Sequence, residues 1–124
     1  MRSEFKEIKI STSSKFQLVN ISSEVENAVR ESGIKNGLCH VYAVHSTPAI
    51  IATEDEGRLK EDFLKMVKDM FPPDADWRHP MNAYAHMASA FLATSRTFPV
   101  RDGKLVRGTW QEVFLLEFDG PKSE

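Results

Sequence analysis

The sequence predicts an α+β fold: mixed, mostly antiparallel sheets in a sandwich, with helices packed on them. Three observations carry that reading. Apolar runs of strand length are interspersed with segments whose apolar residues recur at helical spacing. Asp102-Gly103 between Thr97–Val100 and Leu105-Val106 is a strong two-residue hairpin signal. The element order, β-β-α-β-β-α-α-β-β-β, places hairpins at both ends, unlike the repeated strand–helix units that build a parallel sheet.

Composition bounds the answer. The 124 residues are expected to form one domain, 1–124, long enough for a core without staples. The chain is 41% hydrophobic and 27% charged, as in ordinary globular domains. Sixteen Lys and Arg against 18 Asp and Glu leave a net charge of -2, which gives no electrostatic case for nucleic acid or a membrane surface. Cys39 stands alone, so neither an intrachain disulfide nor an all-cysteine zinc site is available. No basic-then-apolar leader opens the chain and no apolar run reaches bilayer length, so a cytoplasmic protein is expected.

Taken in order, Phe5–Ile10 and Lys15–Ile21 read as strands around the polar turn Ser11–Ser14. Alternation in the first is imperfect, since Ile8 and Ile10 share a face that Phe5 does not. Ser23-Glu24-Val25-Glu26 fits a capping box, Val25, Ala28 and Val29 form a helical stripe, and Gly33 ends the helix. After the Asn36-Gly37 turn, Leu38–His45 is apolar on both faces and predicts a central strand covered on both sides. Ala49–Thr53 is another short strand. A helix over 58–71 follows, with Leu59, Phe63, Met66, Val67 and Met70 on its inner stripe and Glu61, Lys65 and Asp69 opposite. Pro72-Pro73 stops it. A third helix runs from Ala83 to Thr94, capped by Asn82, with Met87, Ala90, Phe91 and Thr94 inward. Glu112–Phe118 is the last strand: Phe114, Leu116 and Phe118 line one face, and Val113, Leu115 and Glu117 the other.

The chemistry-bearing residues cluster around His79-Pro80-Met81-Asn82-Ala83-Tyr84-Ala85-His86. Pro80 keeps His79 extended. His86 falls in the first turns of a helix, whose free N–H groups and dipole favour anions. Imidazoles there suit a metal ion, an anionic substrate or both; an exposed His79 and an ordinary half-buried His86 are the plainer alternative. His40 and His45 lie on opposite faces of their strand, either as hydrogen-bonded core histidines or, for His45 at the strand end, as a site residue. Glu54 belongs to an acidic loop that reads as solvated surface. Asp62 borders an apolar stripe and faces either a cleft or water. Glu117, on an apolar face, is a candidate buried carboxylate needing a partner, a metal or a proton, unless the sheet end is open to water.

Several groups together resemble the YjbQ family of secondary thiamine-phosphate synthase proteins. They are His45-Ser46-Thr47-Pro48-Ala49, Glu54, Asp62, Trp77-Arg78-His79-Pro80, Asn82–Met87, Ser95, Phe98–Val100, Asp102–Leu105, Gly108–Gln111 and Glu117–Pro121. Their order and spacing span nearly the whole chain. The resemblance implies a compact sandwich, a homotrimer, and a small pocket between subunits where His45, His79 and His86 bind a metal ion. It also implies weak thiamine-phosphate synthase activity, joining a hydroxymethylpyrimidine diphosphate to a thiazole phosphate with loss of pyrophosphate.

Three imidazoles with one open position suit Zn²⁺ or a similar divalent ion. Asp62, Glu54 or Glu117 would orient a histidine or act as base. Asn82, Ser95, Thr109 and Gln111 would hydrogen-bond a phosphorylated substrate. A metal-assisted phosphate-ester hydrolase and a non-catalytic metal- or metabolite-binding trimer are the competing expectations. The chain departs from the family pattern at Pro48 and Thr53. Family members usually also continue past Asp119-Gly120-Pro121 into a further strand, which this sequence lacks, implying a shortened chain or an open sheet edge.

Overall fold

The computed structural model describes residues 1–123. Nine elements follow in order: β1 (Gln17–Asn20), α1 (Ser22–Ser32), β2 (Gly37–Tyr42), β3 (Pro48–Thr53), α2 (Gly57–Met70), α3 (Ala83–Leu92), β4 (Ser95–Arg101), β5 (Lys104–Leu105) and β6 (Glu112–Glu117). They form two three-stranded antiparallel sheets, β1-β6-β3 and β2-β4-β5.

The alternation of β6 explains the layering. Phe114, Leu116 and Phe118 join Ala49, Ile51, Val67, Tyr84, Ala85 and Ala88 in the core between the first sheet and helices α2 and α3. Val113 and Leu115 point the other way and meet Ile21, Val25, Ala43, Ile50 and Phe98, which fill the space towards α1 and the second sheet. The α+β sandwich is therefore as expected, with β6 central and buried on both faces. The Asp102-Gly103 turn also forms, both residues at positive φ (54° and 77°), as a tight hairpin between twisted strands requires.

Five local expectations are overturned. Phe5–Ile10 joins no strand: Ser11 makes one isolated bridge to Ser123, and polar contacts tie the segment to α1, through Arg2 Nη2 donating to the Ser32 carbonyl and Lys6 pairing with Glu31. The split between Phe5 and Ile8 leaves no single face to bury. The capping box does not close. Glu26 turns to Arg107, and the Ser22 amide donates to Asn20 Oδ1 at 2.9 Å. Strand β2 is an edge strand, not a central one, and Leu38, Tyr42 and Val44 are exposed. In α2, Val67 is buried with Phe63 and Leu64 beside it, while Leu59, Met66 and Met70 are exposed. In α3 the inner face is Tyr84, Ala85, Ala88 and Ser89, and Met87 and Phe91 point outward. Small residues decide α3. Ala85 and Ala88 let the helix approach the sheet closely enough for Ser89 Oγ to donate to the Pro48 carbonyl at 2.6 Å.

Candidate functional site

The pairing of His79 with His86 is built by the turn before α3. Trp77 packs against the first core cluster and its Nε1 donates to the Pro72 carbonyl at 2.8 Å, which anchors the loop ahead of His79. The Asn82 amide donates to the Pro80 carbonyl at 2.9 Å, and Met81 takes the left-handed conformation at φ 70°. A non-glycine residue at positive φ is uncommon and costs energy. This tight turn folds His79 back over the first turns of α3, and the His79 and His86 rings meet edge-to-face with centroids 5.0 Å apart.

Asn82 occupies the N-cap position, as expected, but its side chain does not cap the helix. Its Nδ2 donates to Asp119 Oδ2 at 3.0 Å instead. Lys122 Nζ reaches the same oxygen at 3.3 Å and donates to Thr47 Oγ1 at 3.0 Å. A continuous polar chain, Thr47–Lys122–Asp119–Asn82, thus joins the loop that follows His45 to the N-terminus of α3.

The turn after β6 is firmly held. Thr12 and Lys122 exchange backbone and hydroxyl hydrogen bonds, and the Gly120 amide donates to the Lys15 carbonyl at 3.0 Å. A Cβ on Gly120 would lie 2.2 Å from the Ser14 carbonyl oxygen and 2.8 Å from Thr12 Oγ1, so only glycine fits. Glu117 Oε1 accepts from the amides of Phe118 and Asp119, at 3.1 and 2.8 Å. Its Oε2 is buried without a hydrogen-bond partner among the described residues.

The remaining predicted site residues are divided by the sheet. β3 and β6 are antiparallel, with Pro48 opposite Glu117 and Thr53 opposite Glu112. His45 therefore lies at the Glu117 end, exposed on the loop before Thr47. Glu54 lies at the other end, about 17 Å away at a rise of ~3.3 Å per residue. Thr109 and Gln111, just ahead of Glu112, are at that far end too. Asp62 is exposed on α2. Ser95 pairs with Tyr42 at the start of β4. Glu117 is fully buried, on the face of β6 turned away from α3. Asp119, Lys122 and Thr47 were not among the sequence candidates. The signal for Asp119 and Lys122 was a charged turn directly after a buried strand, and for Thr47 the Ser46-Thr47-Pro48 turn, each easily read as a turn and no more.

Among the described residues, no group of three His, Cys, Asp or Glu side chains could hold a metal ion. His79 and His86 supply two imidazoles, and His45 does not join them within one chain. The donor chemistry suits a borderline cation such as Zn²⁺, but further ligands must come from substrate, water or another copy.

The profile of the family described as UPF0047 protein YjbQ-like matches residues 6–124. This chain belongs to the YjbQ family. Curated relatives agree. A UPF0047 protein of Methanothermobacter thermautotrophicus is 38% identical over 120 residues, covering 94% of this chain and 84% of that protein. UPF0047 protein YugU of Bacillus subtilis is 32% identical over 125 residues, covering 95% and 92%. Among solved structures, a YbjQ-like protein of unknown function from Sulfolobus solfataricus superimposes with a TM-score of 0.92 at 50% identity, covering 94% of this chain and 86% of that one. A hypothetical protein from Aeropyrum pernix gives 0.90 at 34% identity, covering 94% and 89%. Among the described residues, no helix is long and apolar enough to cross a membrane.

Proposed function

We propose that the chain is a divalent-metal-dependent, cytoplasmic enzyme resembling secondary thiamine-phosphate synthases. It would join a hydroxymethylpyrimidine diphosphate to a thiazole phosphate, with release of pyrophosphate. The observation that supports this most is the meeting of His79 and His86 beside the N-terminus of α3. Two imidazoles present a cation site, and the helix end presents N–H groups for phosphoryl oxygens.

His79 and His86 would hold the ion, Zn²⁺ by preference. When bound, it supplies Lewis-acid stabilisation of charge on a leaving diphosphate. Lys122 would add a point charge within about 6 Å of Asn82, since both reach the same Asp119 oxygen. Asp119 orients both donors, and Thr47 fixes the ammonium from the far side. With only two imidazoles of one chain at this site, a third is best supplied by His45 of a second copy, which favours a homotrimer with the pocket between subunits.

Product analysis tests the reaction. A synthase consumes both substrates and forms thiamine phosphate. Phosphate release from one substrate alone would replace this reading with a hydrolase, and metal binding with no turnover would reduce it to a binding protein.

A further inference from the structure

The far end of β6 carries a cavity of its own. It measures about 600 Å³ and lies between α1 and the β4–β5 hairpin, lined by Glu26, Arg30, Lys104, Arg107, Gly108 and Thr109, with Asp102 at the hairpin tip. That volume matches a small-molecule ligand. One wall is rigid. Arg107 donates twice to Glu26 Oε1, at 2.9 and 2.5 Å, and to the Gln111 carbonyl at 2.5 Å, and it pairs with Glu112 at 3.6 Å. Gln111 closes its own loop, with Oε1 accepting from the Gly108 amide and its amide donating to the Gly108 carbonyl, both at 3.0 Å.

The Arg107 charge is thus consumed by Glu26 and Glu112. Arg30 and Lys104 are different. Among the described residues, neither forms an ion pair, and Arg30 bonds only the neutral side chain of Asn27. They come from separate elements, α1 and β5, and line one cavity, with the Thr109 hydroxyl on its edge. Asp102 is the single carboxylate of the lining without an ion-pair partner, so the lining itself carries three cations, Arg30, Lys104 and Arg107, against two carboxylates, Glu26 and Asp102.

We propose that this cavity is a second binding site, for a phosphorylated small molecule whose phosphoryl group is taken by Arg30, Lys104 and Thr109. Arg107 acts as a fixed strut rather than a contact. Charge-assisted donors converging from separate elements are the usual means of holding a phosphate. Trp110, next to Thr109 in the same braced loop, is 73% exposed. The site is separate from the histidine pair and does not depend on its metal.

Calorimetric titration of the full chain with adenosine monophosphate tests this, with inorganic phosphate as competitor. Saturable binding displaced by phosphate is expected, weakened at least about tenfold in Arg30→Gln/Lys104→Gln. Both positions are exposed, so that variant keeps its fold. Affinity in His86→Ala should be unchanged. No saturable binding, equal affinity in the double variant, failure of phosphate to compete, or loss of binding in His86→Ala would each overturn the proposal.

Discussion

The two ends of β6 use polar residues in opposite ways. At the Glu112 end, the charged groups are consumed by each other. Arg107 is shared by Glu26 and Glu112, Lys60 pairs with Asp55 at 2.6 Å, and Asn20 donates to the same carboxylate. What stays open there is the outer rim, Arg30 and Lys104. At the Glu117 end the unspent valence runs from the surface inwards, from an exposed His79 and a half-buried His86 to a buried Glu117. His79 and His86 face one another, the Lys122 ammonium retains a free donor, and one Glu117 oxygen is buried unpaired. A buried polar group without a partner costs on the order of several kcal/mol, and a fold keeps it where it has a use. Saturated networks brace; unsaturated ones are where a ligand has something to satisfy.

The strongest way to break the contrast is at the turn that closes the Glu117 end. Gly120→Ala drives a Cβ into the Ser14 carbonyl and should destabilise by about 3 kcal/mol, read by urea denaturation. A change below about 0.5 kcal/mol would mean that the turn is not fixed. Arg107→Met tests the bracing at the other end. Loss of its ion pairs should cost roughly 1–2 kcal/mol and speed amide exchange at 108–111, with His79 and His86 untouched. Strain brackets α3, with Met81 at φ 70° before it and Ala93 at φ 80° after it. Ala93→Gly should therefore raise stability by about 1 kcal/mol.

The smallest effect is acidic. Lys60, then Asn20, hold the Asp55 carboxyl below its usual range, and Arg58, then the Leu59 amide, do so for Glu56. Folded values below unfolded ones give stability that is present above about pH 4 and lost as pH falls through the folded values. Lys60→Met should therefore lower the unfolding free energy slightly at neutral pH, by under about 1 kcal/mol, and the difference should vanish in acid. A difference that persists in acid would assign it to packing.

Much of this was legible in the chain. The period of β6, the Asp102-Gly103 hairpin, Gly33 as a helix stop and Asn82 at the head of α3 are local signals that the fold obeys. What failed were choices between faces. α3 offered one side of Met87 and Phe91 and another of Ala85 and Ala88, and hydrophobicity favours the first. Close approach of helix to sheet favours the second, a tertiary matter that no window of sequence contains. For the same reason His79 and His86 could be paired on paper from their spacing. The separation of Glu54, Thr109 and Gln111 from them depends on the antiparallel register of β3 with β6, which sequence proximity does not encode. Lys122 was hidden because its role depends on Thr47, 75 residues earlier.

Metal stoichiometry tests the central claim most directly. Purified protein loaded with Zn²⁺, dialysed and assayed by atomic emission should retain one ion per chain. His79→Ala and His86→Ala should each lose it while keeping the far-UV circular dichroism of the parent. Equal zinc in all three proteins, or none in the parent, would contradict the assignment of the histidine pair as a metal site.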